Sequence, residues 1–249
     1  MTGVGFARHA LRAALVGALV LASAGAGAAS AASDDPVAPI AAPTAKLSWS
    51  ARVLAPVTAR SLPSTAGRPI VVLQPNAPLA QGPDVLLVLG RRTVGGREWV
   101  RVLLPIRPNG ASGWVPADVL RFNSSSVRVV IDQSERRLTV YRGGKSVMAT
   151  TVAVGTPQTP TPLGRFAVAE RIYTGTPKAF LGPVVLPLTG YSEKLNEYAG
   201  GNGRVAMHGT SLPQLLGTRA SHGCIRVGNA AVMRLARLAM PGTPVLIQR

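Results

Sequence analysis

The sequence predicts a mainly β protein with one helix near its C-terminus, organised as two small domains behind a leader. Three observations lead there. Apolar runs rich in Val, Ile, Leu and Thr are short and closely spaced, which suits strands rather than long helices. Gly and Pro, 27 and 21 residues of the 249, break those runs with turns. A helical spacing of apolar residues stands out in one stretch, Asn229 to Ala239, where Val232, Leu235, Ala236 and Ala239 share a stripe.

Residues 1–32 read as a signal peptide: Arg8 and Arg12 make a basic start, Ala13 to Ser23 is apolar, and Ser30-Ala31-Ala32 offers a small-residue cleavage site. Cleavage places the mature protein outside the cytoplasm, in a cell-wall or periplasm-like space. Retention as a membrane anchor is the alternative, because Leu11 to Ala32 carries no charge beyond Arg12. Residues 33–51, SDDPVAPIAAPTAKLSWSA, show no apolar period and read as a flexible linker.

From Arg52 to Phe122, the runs VVL, VLLVLG and WVRVLL alternate with turns such as Gly95-Gly96 and Pro108-Asn109-Gly110, a pattern that suits a small antiparallel barrel. Gly-Gly-Arg-Glu-Trp-Val at 95–100 and Gly-Trp-Val-Pro at 113–116 give the stretch 52–122 a resemblance to bacterial SH3-like domains. That resemblance implies a wall-binding or positioning module. Trp99 and Trp114 serve there either as core residues or as stacking platforms.

Asn123-Ser124-Ser125-Ser126 marks the seam, and a second domain is expected over residues 126–249. VRVVID at 127–132, RLTVYR at 137–142 and KSVMATTVAVG at 145–155 form a meander. The Pro-rich run Thr156 to Pro162 is a loop, because proline lacks the ladder donor, and a strand follows from Gly164 to Glu170. Residues 173–203 lack a strong period and read as a mobile flap or an ordinary surface excursion. Asn229 is placed to cap the helix, Pro241-Gly242 stops it, and TPVLIQ at 243–248 closes the fold as a buried strand.

The charge balance is strongly basic, 27 Lys and Arg against 10 Asp and Glu. Outside the cytoplasm such a field draws anionic cell-wall polymers. Without a compact basic cluster interleaved with aromatics, nucleic acid is not an expected partner. A monomer is the default assembly.

The one cysteine, Cys224, has no internal disulfide partner, which is a poor arrangement for an exported protein unless the thiol is used. It lies in Ser-His-Gly-Cys-Ile-Arg-Val, preceded by Val-Ala-Met-His-Gly-Thr, so His208, His222 and Cys224 crowd into one short segment. Histidine exchanges a proton near neutral pH and a cysteine thiolate is the strongest protein nucleophile there, so the cluster points to acyl transfer. A zinc site is the chemical competitor, since two His and one Cys are metal ligands. The spacing is unusual for one, and no carboxylate follows Glu197.

HGT at 208–210 followed by SHGCIRV at 221–227, with Thr159-Pro-Thr-Pro-Leu-Gly-Arg-Phe before and Gly242-Thr-Pro-Val after, resembles the signature of L,D-transpeptidase catalytic domains. The resemblance implies a β-sandwich or barrel catalytic domain with Cys224 as nucleophile and His208, oriented by the Gly209 carbonyl, as base. It implies that Ser221, His222 and Gly223 belong to the nucleophile loop, with the Gly223 and Cys224 amides receiving the oxyanion. Arg226 either holds a substrate carboxylate or forms a structural salt bridge, and Thr210 is a candidate hydrogen-bonding residue at the substrate. No cofactor or metal is implied. The expected substrates are peptidoglycan tetrapeptide stems, cross-linked 3→3 with release of D-alanine, and the expected covalent inhibitors are carbapenem-type β-lactams. A sortase-like enzyme shares the Cys-His-Arg set but does not place its cysteine in Ser-His-Gly-Cys.

Overall fold

The computed structural model describes residues 40–197 and 200–249. The expected signal peptide and residues 33–39 of the expected linker lie outside the described residues. The fold is mainly β, with one α-helix among the described residues.

The first sheet has seven strands: β1 (Ser48–Val53), β2 (Val57–Arg60), β3 (Pro69–Leu73), β4 (Val85–Val94), β5 (Arg97–Leu103), β6 (Ser112–Pro116) and β7 (Leu120–Ser125). Their order is β3-β2-β6-β5-β4-β1-β7. The linker expectation over 33–51 is corrected at its end, because residues 48–51 already belong to β1. Trp49, Ala51 and Val53 recur at every second position and are all buried, and β1 is held on both edges, by β4 and β7. Of the two tryptophans in question, Trp99 is a core residue, whereas Trp114 is half-buried with the Arg92 guanidinium 5.9 Å from its ring.

The second sheet contains β8 (Val127–Asp132), β9 (Arg137–Arg142), β10 (Lys145–Gly155), β11 (Gly164–Ala167), β12 (Ile172–Tyr173), β13 (Val184–Tyr191), β14 (Arg204–His208), β15 (Arg219–Ser221), β16 (Ile225–Val227) and, after helix α1 (Asn229–Leu238), β17 (Pro244–Gln248). Its order is β11-β17-β8-β9-β10-β16-β14-β13-β12, with β15 alongside β10. Val129, Ile131, Val140, Leu186, Met207 and Ile225 lie in its core, and α1 covers it with Val232, Leu235 and Ala236. Burying each such aliphatic side chain stabilises by roughly 1.5–3 kcal/mol.

Several sequence expectations are corrected here. Residues 173–203 are not one excursion, since β13 is a largely buried strand inside that span. Pro187 hid it. A residue's N and carbonyl O face the same edge of a strand, and Pro187 O accepts from Ala169 N–H at 2.8 Å. The missing donor therefore faces away from β14, and β13 stays paired with β14 from Val185 to Pro187, its register shifting only between Pro187 and Tyr191. β11 stops at Ala167 rather than Glu170, and Glu170 instead holds a loop of the first sheet. The helix N-cap is Gly228, with no side-chain cap, and Asn229 is its first residue. β17 buries alternate residues rather than every one.

The described residues fall in one compact unit, and the two sheets are joined by polar as well as apolar contacts. Leu87 and Leu103 of the first sheet pack with Ala167 of the second. Asn109 exchanges two 2.8 Å hydrogen bonds with the Tyr191 backbone, and Tyr191 Oη donates to Pro105 O at 2.7 Å.

Candidate active site

Strand pairing brings the reactive residues together. β14 and β16 are parallel, with Met207 opposite Ile225 and His208 opposite Arg226. Met207 and Ile225 are fully buried in the core, so alternation turns Ala206, His208, Cys224 and Arg226 to the other face. There, His208, Cys224 and Arg226 line one cavity of about 490 Å³, together with Ser221 and His222.

His208 is 2% exposed, and its Nδ1 lies 2.6 Å from Gly209 O. A carbonyl oxygen only accepts, so Nδ1 carries the proton and Nε2 is left with its lone pair. The Phe180 ring centroid is 6.3 Å from the imidazole, in a tilted arrangement. Burial first, and the Arg226 charge second, depress the His208 pKa to about 4, against the opposing effect of the Gly209 bond. Burial also pushes the Cys224 thiol up, opposed by a hydrogen bond with the Ala206 backbone and by the Arg226 field. The resting pair is therefore neutral thiol and neutral imidazole. A standing imidazolium beside a thiolate is disfavoured here.

The nucleophile loop is fixed by short hydrogen bonds. Ser221 Oγ donates to Cys224 O at 2.6 Å and accepts from Gly223 N–H at 3.2 Å. Gly223 has φ +119°, a conformation that a side chain would strain, and this turn sets the cysteine after it. The Pro-rich loop backs the assembly: Thr156 N–H and Thr159 Oγ1 donate to Ser221 O at 3.0 and 3.3 Å. The Gly223 amide, expected to receive an oxyanion, is thus engaged with Ser221 Oγ. His222 is exposed at the cavity rim.

Arg226 is 6% exposed, and its guanidinium lies 5.0 Å from the Phe180 ring centroid. Among the described residues no carboxylate pairs with it, which removes the salt-bridge alternative. Arg204 also lines the cavity, and no carboxylate does among the described residues. The cavity is thus an apolar slot with cationic groups in its wall. Thr210 corrects another expectation. It is buried off the cavity lining, and its Oγ1 accepts from Leu212 N–H at 3.0 Å in a local turn rather than facing a substrate.

Asn229 was legible only as a helix start, yet it is the main brace of the His208 segment. Its Oδ1 accepts from Thr210 N–H at 2.8 Å and its Nδ2 donates to Pro177 O at 2.9 Å, tying β14 to the segment that carries Phe180. Gly209 passes so close to Asn229 Oδ1 and Pro183 that no Cβ fits there. Asn229→Ala is expected to lower stability by about 1–3 kcal/mol by leaving a buried amide unpaired, read as a shifted denaturation midpoint. An unchanged midpoint would contradict the bracing role.

Among the described residues, no group of three or more His, Cys, Asp or Glu converges as metal ligands would.

The family model described as the YkuD L,D-transpeptidase catalytic domain matches residues 126–247. The YkuD protein of Bacillus licheniformis is 31% identical over 120 residues, 48% of this chain and 64% of that protein. This chain thus matches 64% of the length of that relative. Among solved structures, a mutant of the Enterococcus faecium L,D-transpeptidase is 24% identical over 49% of each chain, with a TM-score of 0.38. L,D-transpeptidase 3 of Mycobacterium tuberculosis, solved with a faropenem-derived adduct, is 16% identical over 61% of this chain and 91% of its own, with a TM-score of 0.42.

Proposed function

We propose that the whole protein is an exported L,D-transpeptidase that forms 3→3 cross-links in peptidoglycan, a reading supported by the match of residues 126–247 to the YkuD L,D-transpeptidase catalytic domain model. One observation carries the reading: His208 and Cys224 share a sheet face and a cavity, with the imidazole fixed so that Nε2 is the basic nitrogen.

In the proposed reaction the Cys224 thiol gives its proton to His208 Nε2 as sulfur attacks the L,D peptide carbonyl of a tetrapeptide stem. A neutral starting pair favours proton transfer in step with attack. The carbonyl oxygen becomes an oxyanion received by the Cys224 amide, joined by the Gly223 amide if it turns from Ser221 Oγ. Each such donor is worth about 3 kcal/mol in acyl transfer. Collapse breaks the C–N bond, and the His208 proton passes to the leaving nitrogen of D-alanine. The acyl group stays on sulfur as a thioester.

The side-chain amine of a diaminopimelate residue on a second stem then loses a proton to His208 Nε2 and attacks the thioester. The Cys224 thiolate leaves and takes that proton back from His208 Nε2. The peptide bond energy is retained in the thioester, so no nucleotide is needed. Arg226, a buried cation beside both reacting groups, steadies the thiolate and holds a substrate carboxylate.

The base must be neutral to act, so its loss follows protonation of His208. Acylation is expected to fall tenfold per pH unit only below about pH 4, not below the ordinary histidine value. A single-turnover pH profile with its acid limb near 6.5 would contradict the buried base. The same group affects stability. Because its folded pKa lies below the unfolded value of 6.5, the unfolded chain binds more protons between 6.5 and 4, and stability is lost as pH falls through that window.

The direct assay is incubation of the protein with disaccharide tetrapeptides. Cross-linked dimers with free D-alanine, seen by mass spectrometry, are expected. Intact substrate with a correctly folded protein would count against the reading.

A further inference from the structure

The wall of the active-site cavity contains a residue from outside the transpeptidase domain. Leu79, in the loop between β3 and β4, lines the same cavity as His208 and Cys224. We infer that Leu79 is a substrate-contacting, specificity-determining residue, whose isobutyl group seats the aliphatic part of a stem peptide, such as alanine methyls or the methylene spine of a diamino acid. This rests on the transpeptidase reading above and adds that the first sheet builds part of the peptide site.

The loop that carries Leu79 is held in place from the catalytic side. Glu170 is 3% exposed, and its Oε2 accepts from Leu79 N–H at 3.0 Å and Ala80 N–H at 2.6 Å. Charge-assisted bonds to two successive amides fix the backbone of the loop tip. Within the loop, Ala77 N–H donates to Gly82 O at 2.7 Å and Gln81 N–H donates to Ala77 O at 3.1 Å. Glu170 Oε1 also lies 3.7 Å from Arg204 Nη1, and Arg204 is itself a cavity residue. Burial, then the neighbouring Glu170 charge, raises the Asp84 pKa to about 6, with Arg204 opposing.

The backbone is anchored while the side chain is not covered. Leu79 is 57% exposed although its amide is fixed by a buried carboxylate. An aliphatic group presented in this way at the lip of an apolar cavity is built to be covered by something apolar that arrives there.

The first sheet also shapes the facing wall. Arg107, in the loop between β5 and β6, donates to Ser192 O at 2.6 Å, Leu195 O at 3.0 Å and Asn202 O at 3.4 Å, and all three of these residues line the cavity. Its guanidinium stacks 4.9 Å from the Tyr191 ring centroid. The first sheet therefore supplies Leu79 directly and positions Leu195 through Arg107.

The test uses the full chain and two reagents: a carbapenem, which reports Cys224 chemistry, and a disaccharide tetrapeptide, which fills the peptide site. For Leu79→Ser, carbapenem acylation is expected within about twofold of wild type, while KM for the tetrapeptide rises roughly tenfold or more with kcat largely kept. Leu79→Met should restore KM. Wild type active with both reagents, but KM unmoved in Leu79→Ser, overturns the role of Leu79 and leaves the transpeptidase reading standing. Loss of both activities in Leu79→Ser assigns the residue to folding and also overturns it. Wild type inert to both reagents overturns the transpeptidase reading, and this inference with it.

Discussion

Replacing Cys224 by alanine is expected to reduce cross-linking by roughly a million-fold, to the level without enzyme, as removal of a covalent nucleophile does. The chain holds no second cysteine to substitute for it. The fold should survive, because the change removes one sulfur from a residue at the cavity wall, while the bonds that fix the loop run through Ser221 Oγ and the Cys224 carbonyl. Thermal denaturation of the variant checks this. A folded Cys224→Ala protein that still forms dimers would mean that another group attacks the peptide.

His208→Ala is expected to slow acylation by about 10²–10⁴-fold, the usual scale for a general base. His222→Gln should fall by less than tenfold. The two histidines differ in surroundings rather than in chemistry. His208 is buried, tautomerically fixed by Gly209 O and in the same face register as Cys224, whereas His222 is exposed at the rim. Single-turnover acylation measured by stopped quench separates them. Equal losses would contradict the assignment of the base.

The pairing of His208 and Cys224 at one candidate site was legible because both lie in a short segment whose residue types carry their own chemistry. Strands such as β8 were equally legible, since Val127, Val129 and Ile131 alternate with half-buried neighbours and all three are buried. What stayed hidden depends on contacts between distant parts of the chain. Nothing near Leu79 announces that Glu170 will hold its amide, and nothing near Arg107 announces the carbonyls of Ser192, Leu195 and Asn202. Trp49, Ala51 and Val53 did carry a period-two signal, but the Pro- and Ala-rich composition before them obscured it. Pro187 argued against a central strand until its missing donor was seen to face away from β14. Asn229 was misread because a helix-start position and a backbone brace call for the same residue type.

The electrostatic state of the site was also beyond the sequence. A Cys-His pair suggests an ion pair when its burial is unknown, and here burial disfavours both charged forms, while Arg226 beside them disfavours the imidazolium and favours the thiolate. Burial outweighs the Arg226 field at the thiol, so the acid limb of activity is the place where the structure departs most clearly from the motif.

In the proposed reaction Cys224 is acylated with His208 as its base. Intact-mass analysis after incubation with a carbapenem tests it most directly. Wild type should gain the mass of one adduct, mapped to the peptide containing Cys224, with a much slower gain in His208→Ala and none in Cys224→Ala. An adduct of the same mass on Cys224→Ala, or none on folded wild type, would contradict the account.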